Sequence, residues 1–345
     1  LHKILVIQTA FIGDVVLATG IVEKLHHTYP NAAIDFLLRK GNEDLFANHP
    51  FINKVIIWDK KESKYKHLWQ LLKQIRKVKY DAVVNLQRFA ATGFLTAFSR
   101  AKLTIGFNKN PLSFLFDVSV KHIVSTNENH LHEVERNQQL IDSITSGKAI
   151  NPTLYPSAMD YDFVKKYQQE IYLCIAPASV WFTKQYPKEK WVELLNRLPI
   201  NYKVYLLGAP SDCVLCDDII TSSTNLNCTN LAGKLSFLQS AALQEFAVMN
   251  YVNDSAPMHF ASAVNANVTA IFCSTLPSFG FGPLSSESYI VESLEKLDCK
   301  PCGLHGQATC PQNHFNCAKT IKVEQLLKSL NFISSTVKPN SKPWQ

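Results

Sequence analysis

The sequence predicts an α/β protein built from two doubly wound domains in tandem, and three observations lead there. The chain has 345 residues, and a single core seldom grows past about 250–300 residues, so the length favours two domains. Short apolar runs alternate with segments of helical periodicity through both halves, the pattern of a parallel sheet covered on both faces. The alternation lapses once, from about residue 147 to 170 around SGKAINPTLYPSAMD, and then restarts, which marks a hinge region.

The elements follow in order. KILVIQ (3–8) reads as a buried strand, followed by a loop and a helix from Val15 to about His27. AIDFLL (33–38), KVIIW (54–58), a basic helix to about Lys79, DAVVNL (81–86), a helix near 90–100 and LTIGF (103–107) complete the first half. The second half starts with IYLCIAP (171–177), a helix near 188–198, KVYLLG (203–208), a helix over 211–222 and NLNCTNLAG (225–233). A helix over 236–247, NYVND (250–254), a helix from Pro257, VTAIFC (268–273), a cysteine-rich loop and a helix over 322–331 follow. The expected domains are 1–155 and 165–325, with a C-terminal tail over 326–345. Two such domains facing a cleft would bind ligands at the carboxyl ends of their strands.

With 46% hydrophobic and 18% charged residues, the composition is globular. The start, LHKILVIQTAFIGDVVL, lacks a small-residue cleavage site and is interrupted by Asp14, so it reads as a strand and loop. No apolar run approaches the roughly 20 residues that span a bilayer. A cytoplasmic location is therefore expected. The formal charge of +7 sits wholly in the first half, where residues 1–150 carry 20 Lys and Arg against 13 Asp and Glu. Much of it lies in KKESKYKHLWQLLKQIRKVK (60–79), where Leu68, Leu72, Ile75 and Val78 keep helical spacing among lysines. This is either the solvated face of a surface helix or a surface for an anionic partner, an acidic membrane or a phosphorylated glycolipid. No nucleic-acid motif accompanies the charge, so nucleic acid is not expected as a partner.

Neither half carries G-x-G-x-x-G after its first strand, which argues against a dinucleotide fingerprint. The second half offers a different anion site. NDSAPMHFASAV (253–264) follows a strand and opens a helix, with Asp254 or Ser255 placed to cap it and Pro257 in its first turn. Free N–H groups at such a helix start suit a diphosphate. IAPASVWFTKQYPKEKW (175–191) ends another strand with Ser179, Thr183 and Lys184 before a helix, and Lys184 would add a mobile positive charge. No carboxylate-rich metal motif lies near either segment, so metal-independent chemistry is expected. In the first half Asp14 follows the first strand, where it can serve as a base or cap the next helix.

These segments, with T-x-x-x-G-D-V-V-L (9–17), LTIGF (103–107), HEVERNQQLI (132–141), T-K-Q-Y-P (183–187), NLAGKLSFLQSAAL (230–243) and NDSAPMH (253–259), resemble the ADP-heptose:lipopolysaccharide heptosyltransferases of glycosyltransferase family 9. The resemblance covers nearly the whole chain. It implies two Rossmann-like domains of the glycosyltransferase B (GT-B) type, with the acceptor on the first and the nucleotide-sugar on the second. It implies an inverting glycosyltransferase that moves a heptose or related sugar from an ADP-sugar to a lipopolysaccharide-core-type glycolipid. Such an enzyme needs no further cofactor and is cytoplasmic or peripheral on the inner face of the inner membrane. By the same resemblance Asp14 is the catalytic base, and Lys184 with the amides after Asp254 stabilises the leaving ADP. Ser179 and Thr183 lie beside the phosphates, Gly233 and Lys234 beside the adenine loop, and Ser255, Ala256 and His259 close to the donor. Lys234 reaches either a phosphate or solvent, and a lone helical histidine such as His259 is often structural. The chain departs from the family pattern at Ala256, where many members have Gly, and in FCSTLP (272–277), where F-G-P-T-x-P is usual.

Nine cysteines without an export signal argue against a disulfide framework. Cys299, Cys302, Cys310 and Cys317 follow C-x2-C-x7-C-x6-C and could bind structural zinc, with His305 and His314 in reserve, or remain reduced thiols or a redox-formed disulfide. Cys213 and Cys216 fall on a helix and are expected to pack. Two other functions fit the same architecture: a nucleotide-sugar epimerase, and a non-catalytic glycan- or lipid-binding homologue.

Overall fold

A computed structural model describes residues 1–60, 64–124 and 131–336. The chain forms two compact units, Leu1–Tyr155 and a second that begins at Pro156. The first contains β1 (Lys3–Ile7), α1 (Ile12–Thr28), β2 (Ala33–Arg39), β3 (Ile52–Trp58), α2 (Lys64–Val78), β4 (Ala82–Asn85), α3 (Ala90–Ala97), β5 (Leu103–Phe107), β6 (Val118–Val120) and α4 (Glu133–Gln139). Its strands are parallel, in the order β3-β2-β1-β4-β5-β6. Growth of the sheet reverses between β1 and β4, so the loops leaving those strands diverge and open a crevice at their carboxyl ends.

The second unit repeats the plan with α5 (Ala158–Val164), β7 (Tyr172–Ala176), α6 (Lys188–Arg197), β8 (Lys203–Leu206), α7 (Cys213–Thr221), β9 (Cys228–Asn230) and α8 (Phe237–Glu245). It continues with β10 (Asn250–Asn253), α9 (Ala256–Ala263), β11 (Val268–Phe272), β12 (Ser288–Glu292), α10 (Asn316–Lys319) and α11 (Val323–Thr336). Its parallel order, β12-β11-β10-β7-β8-β9, places the reversal between β7 and β10. The two-residue period of a strand sends Leu173 and Ile175 of β7 into one core and Tyr172, Cys174 and Ala176 into another, one on each face of the sheet. Both faces of the strand are buried, which is why these strands read as continuous apolar runs.

Four details differ from the sequence reading. Helix α1 starts at Ile12 rather than Val15, with Phe11 as its N-cap residue, so Asp14 lies in the first turn and is not the cap. The second unit begins before residue 165: Val164 of α5 is buried in its core, and Tyr161 donates to Glu245 at 2.6 Å. The tail expected from 326 is, up to Thr336, part of helix α11. Leu326, Leu330 and Ile333 recur at helical spacing and are buried against the sheet, which holds this segment in the core; residues 337–345 lie outside the described residues. Strands β6 and β12 close the sheet edges and went unread.

Helix α1, which carries Asp14, is strapped from outside by residues 150–155. Gln138 of α4 exchanges two hydrogen bonds with the backbone of Ile150, at 2.6 and 2.8 Å. Thr153 donates its N–H to Thr19 at 3.0 Å, and the Tyr155 hydroxyl donates to Glu23 at 3.0 Å. Gly20 permits the close approach, since a Cβ there would stand 2.6 Å from the Ile150 carbonyl oxygen. His49 fills the space below, ringed by Phe46, Phe51 and Tyr155, with its Nε2 3.6 Å from Glu23. Burial first, and His26 second, hold its imidazole at about 4 against an ordinary 6.5. Between those values the unfolded chain binds a proton that the folded chain does not, so stability rises with pH and falls on acidification. The first unit is expected to lose about 2–3 kcal/mol through this group between pH 6.5 and 4. Urea unfolding across that range should show a shallower slope in His49→Gln; an unchanged slope would refute the assignment.

Candidate functional site

At the reversal point of the second sheet, two loops leave β7 and β10. Asn253, at the end of β10 and fully buried, ties them together: its side-chain amide donates to the Pro177 carbonyl at 2.7 Å and accepts from the Tyr186 N–H at 3.0 Å. Between those contacts the β7 loop turns through Phe182–Lys184 in a single 3-10 turn. The turn delivers the Lys184 ammonium to Asp254, 2.7 Å away, with the two side chains only 15% and 8% exposed. Thr275 donates to the same Asp254 oxygen at 2.6 Å. A lysine this shielded is attracted far more strongly than one in bulk water.

Helix α9 begins one residue later than this pair. Ser255 is its N-cap residue by backbone but makes no side-chain cap bond; its hydroxyl turns back to the Asn253 carbonyl at 3.3 Å. Asp254 does not cap either, because its carboxylate is taken up by Lys184 and Thr275. Ala256 opens the helix, Pro257 lies in its first turn, and His259 is buried one turn in. Among the described residues, neither Ser255 nor Asp254 places a side-chain acceptor on the first amides of α9.

Thr183 is built into the packing between two loops. It is buried, and its hydroxyl accepts from Ser274 at 2.9 Å and from the Gln307 N–H at 2.8 Å, while its own N–H donates to the Gln307 carbonyl at 3.1 Å. It anchors the cysteine-rich loop to the lysine-bearing turn. Gly306 makes that closure possible: it has φ +75°, and a Cβ there would stand 2.8 Å from Lys184 Cγ. Ser179 is half-buried on the same loop, its carbonyl accepting from Gln185 at 2.7 Å. Gly233 and Lys234 are exposed at the β9 edge, two strands from β7, and the Lys234 ammonium donates to the Asn230 carbonyl at 2.8 Å. Gly233 has φ +72° and packs on Pro210, which excludes any side chain.

Cys299, Cys302, Cys310 and Cys317 line one cavity of about 350 Å³ with His314, whose Nε2 is 3.8 Å from Cys299 Sγ. The donor types suit zinc. Among the described residues, however, no three His, Cys, Asp or Glu side chains stand close enough to hold an ion, so no step is derived through a metal. Burial first, and the neighbouring thiols second, raise Cys302, and the same two causes raise Cys317 to about 11, which keeps both neutral at pH 7. Cys216 is buried and Cys213 packs beside it.

The first unit has its own reversal point. Gln87 donates to Gln8 across it, between the chain leaving β4 and the chain leaving β1. The Lys60 ammonium pins the β1 loop by donating to the carbonyl of Thr9 at 2.9 Å and to its hydroxyl at 3.0 Å. Asp14 follows, half-buried, and its charge is felt by Arg39 and Glu133. Burial lowers Arg39 and Asp14 opposes that; burial raises Glu133, which is paired with Arg136 at 2.7 Å. Exposed rings crown the same edge: Phe11 under the Arg39 guanidinium at 4.6 Å, Phe89 near Arg88 at 5.5 Å, and Phe114 beyond β5. His122 is pushed down to about 4 by burial, then by Lys109, Arg136 and Arg88, which registers the positive field here. Sequence reasoning missed Thr275, Gln307, Arg39, Arg88 and Lys109. Only the basic charge of the first half hinted at the last three.

Two parallel six-stranded sheets of this order are the two Rossmann-like sheets of the GT-B architecture. The chain belongs to glycosyltransferase family 9, the heptosyltransferases, whose family model matches residues 68–311. It is similar to lipopolysaccharide heptosyltransferase 3 of Escherichia coli K12, with 28% identity over 281 residues, covering 76% of this chain and 80% of that one. Its fold is similar to that of the E. coli ADP-heptose lps heptosyltransferase II, with TM-score 0.79, 22% identity, and 97% and 99% of the two chains covered. A family 9 glycosyl transferase from Veillonella parvula gives TM-score 0.81 at 18% identity, covering 97% and 98%.

Replacing Asp254 by Asn removes one partner of a shielded ion pair and is expected to lower stability of the second unit by about 3 kcal/mol. Adding Lys184→Met should cost less than the sum of the two single changes in denaturant unfolding, because the pair acts as a unit. Simple additivity would show that the contact carries no coupling.

Proposed function

We propose that the chain transfers a heptose, or a related sugar, from an ADP-sugar to a lipopolysaccharide-core-type glycolipid, with inversion at the anomeric carbon. The observation that carries the donor side is the Lys184–Asp254 pair beside the start of α9. A diphosphate arriving there meets helix amides and the helix dipole, and it draws Lys184 from its carboxylate partner. As the glycosidic bond to phosphate breaks, charge grows on the leaving ADP. Lys184 and the α9 amides stabilise that charge in a shielded setting, where such contacts are strongest.

Asp14 takes the proton of the acceptor hydroxyl as it attacks. Asp14 lies in the first turn of α1, just after the β1 loop at the carboxyl edge of the sheet. Arg39, Arg88 and Lys109 suit an acceptor bearing phosphate or carboxylate groups, and Phe11, Phe89 and Phe114 offer flat apolar surface to sugar rings. The names of the relatives, lipopolysaccharide and lipooligosaccharide heptosyltransferases, support such an acceptor and a heptose donor. Among the described residues no helix is long and apolar enough to cross a membrane, so a cytoplasmic chain meeting its acceptor peripherally is part of the proposal.

Asp14→Asn is expected to lower the rate of ADP release from an ADP-heptose with a truncated core glycolipid by about 10²–10⁴-fold while leaving ADP binding intact. Lys184→Met should instead weaken ADP binding and slow transfer about 10²-fold or more. Normal turnover by the Asp14 variant would end the base assignment; unaltered ADP affinity in the Lys184 variant would end the cradle assignment.

A further inference from the structure

Helix α2 buries Leu68, Leu71, Leu72 and Ile75 against the first sheet. At roughly 100° per residue these occupy one side, and Tyr65, Lys66, Trp69, Lys73, Arg76 and Lys77 fall within a separate arc of about 120° that starts beside it. That outer face is sorted. Tyr65 and Trp69 lie along the edge toward α3, at 75% and 55% exposure, and Lys66, Lys73 and Lys77 form an exposed row beside them. Helix α2, KYKHLWQLLKQIRKV, contains no acidic residue. Helix α3 extends the aromatic edge: Trp69 meets Phe94 edge-on at 5.3 Å, Phe94 packs on Phe98 at 5.1 Å, and Phe98 is 41% exposed. Arg76 donates to the Phe98 carbonyl at 2.7 Å and locks the two helices together.

We infer that the α2–α3 face is a docking surface for an anionic phospholipid bilayer. Large rings with polar edges, exposed on a rigid helix pair beside a row of lysines, fit the boundary between headgroups and acyl chains. A solvated charge face has no use for an exposed tryptophan and tyrosine, and a protein interface core is usually depleted of lysine. The row of lysines supplies the attraction to acidic lipid and the rings supply insertion. Because β3 and β4 both end at the carboxyl edge of the sheet, α2 and α3 start at that edge. Their exposed rings therefore run toward Phe89, the N-cap residue of α3. Docking by this face brings the Asp14 edge of the first unit to the lipid surface, where a glycolipid acceptor presents its sugars. The inference extends the proposed acceptor, but its test requires neither donor nor acceptor.

The full chain should sediment with vesicles of phosphatidylcholine and phosphatidylglycerol, and much less with phosphatidylcholine alone. Binding should weaken as salt is raised from 0.05 to 0.5 M, since the Debye length shrinks severalfold. The triple variant Lys66→Gln/Lys73→Gln/Lys77→Gln should lose on the order of 100-fold in vesicle affinity, and Trp69→Ala a smaller but salt-independent share. Circular dichroism confirms the fold of each variant, and turnover on a short-chain, soluble acceptor should stay near the unaltered rate. Equal sedimentation of the triple variant and the unaltered chain overturns the inference, as does failure of the unaltered chain to bind acidic vesicles. Failure of the transfer assay alone leaves vesicle binding intact and counts only against the proposed function.

Discussion

Asn253 makes hydrogen bonds in two directions from a fully buried position, and the loops at the reversal point of the second unit are organised around it. A loop leaving a buried parallel strand carries backbone groups that have lost their ladder partners and must find others. One primary amide answers two of them at once, the Pro177 carbonyl and the Tyr186 N–H, so the loops after β7 and β10 become a single object. The next residue, Asp254, then has little freedom in where its carboxylate goes, and neither does Lys184, which sits on the tied loop. The cysteine-rich loop adds a second clamp through Gln307 and Thr183. Its four thiols line their own cavity beside that clamp, which accounts for the segment's packing whether or not an ion ever fills it.

The same economy is visible in the first unit, with different chemistry. Lys60 holds the β1 loop through Thr9, and the 150–155 strap holds α1 from the far side through Thr19, Glu23 and the backbone opposite Gly20. Asp14 sits between those two restraints, on a helix that cannot slide without breaking both. On the proposed mechanism, a carboxylate that accepts a proton gains from being fixed in this way, since orientation accounts for a large part of such catalysis. The surrounding cations and exposed rings follow the ends of β1, β2, β4 and β5, so the reversal of strand order is what gathers them.

The interior strands were legible because burial on both faces forces apolar runs such as KILVI and YLCIA. Strands β6 and β12 were not, because an edge strand is covered on fewer sides: VSV and SYIVE are largely half-buried and carry no apolar run. The site divides in the same way. Asp14, Lys184, Asp254 and Ser255 could be singled out because each lies shortly after a strand, in or beside a helical turn, a relation local in the chain. The contact of Thr183 with Gln307 spans 124 residues, and that of Thr275 with Asp254 joins two loops, so neither leaves a trace in spacing. Reading Thr183 as a phosphate contact did not foresee these loop partners. Its hydroxyl type was right for an anion, but its partners lay in a loop whose return path the sequence does not display.

A shielded ion pair is poor at stabilising a fold, since the desolvation of both charges offsets most of their attraction, and an apolar pair of similar volume often serves as well. The Lys184–Asp254 contact is therefore better understood through what the lysine must do than through what it adds to the core. A free lysine at the surface would have to give up about 2 kcal/mol of side-chain entropy when it meets a phosphate. Held by Asp254 it has surrendered that freedom already, and exchanging one oxyanion partner for another leaves it ordered throughout. On the proposed mechanism the exchange favours the nucleotide, because a diphosphate carries more charge than a single carboxylate and also meets the amides of α9. Thr275 gives the displaced Asp254 oxygen a remaining donor, so the carboxylate is not abandoned when its lysine leaves.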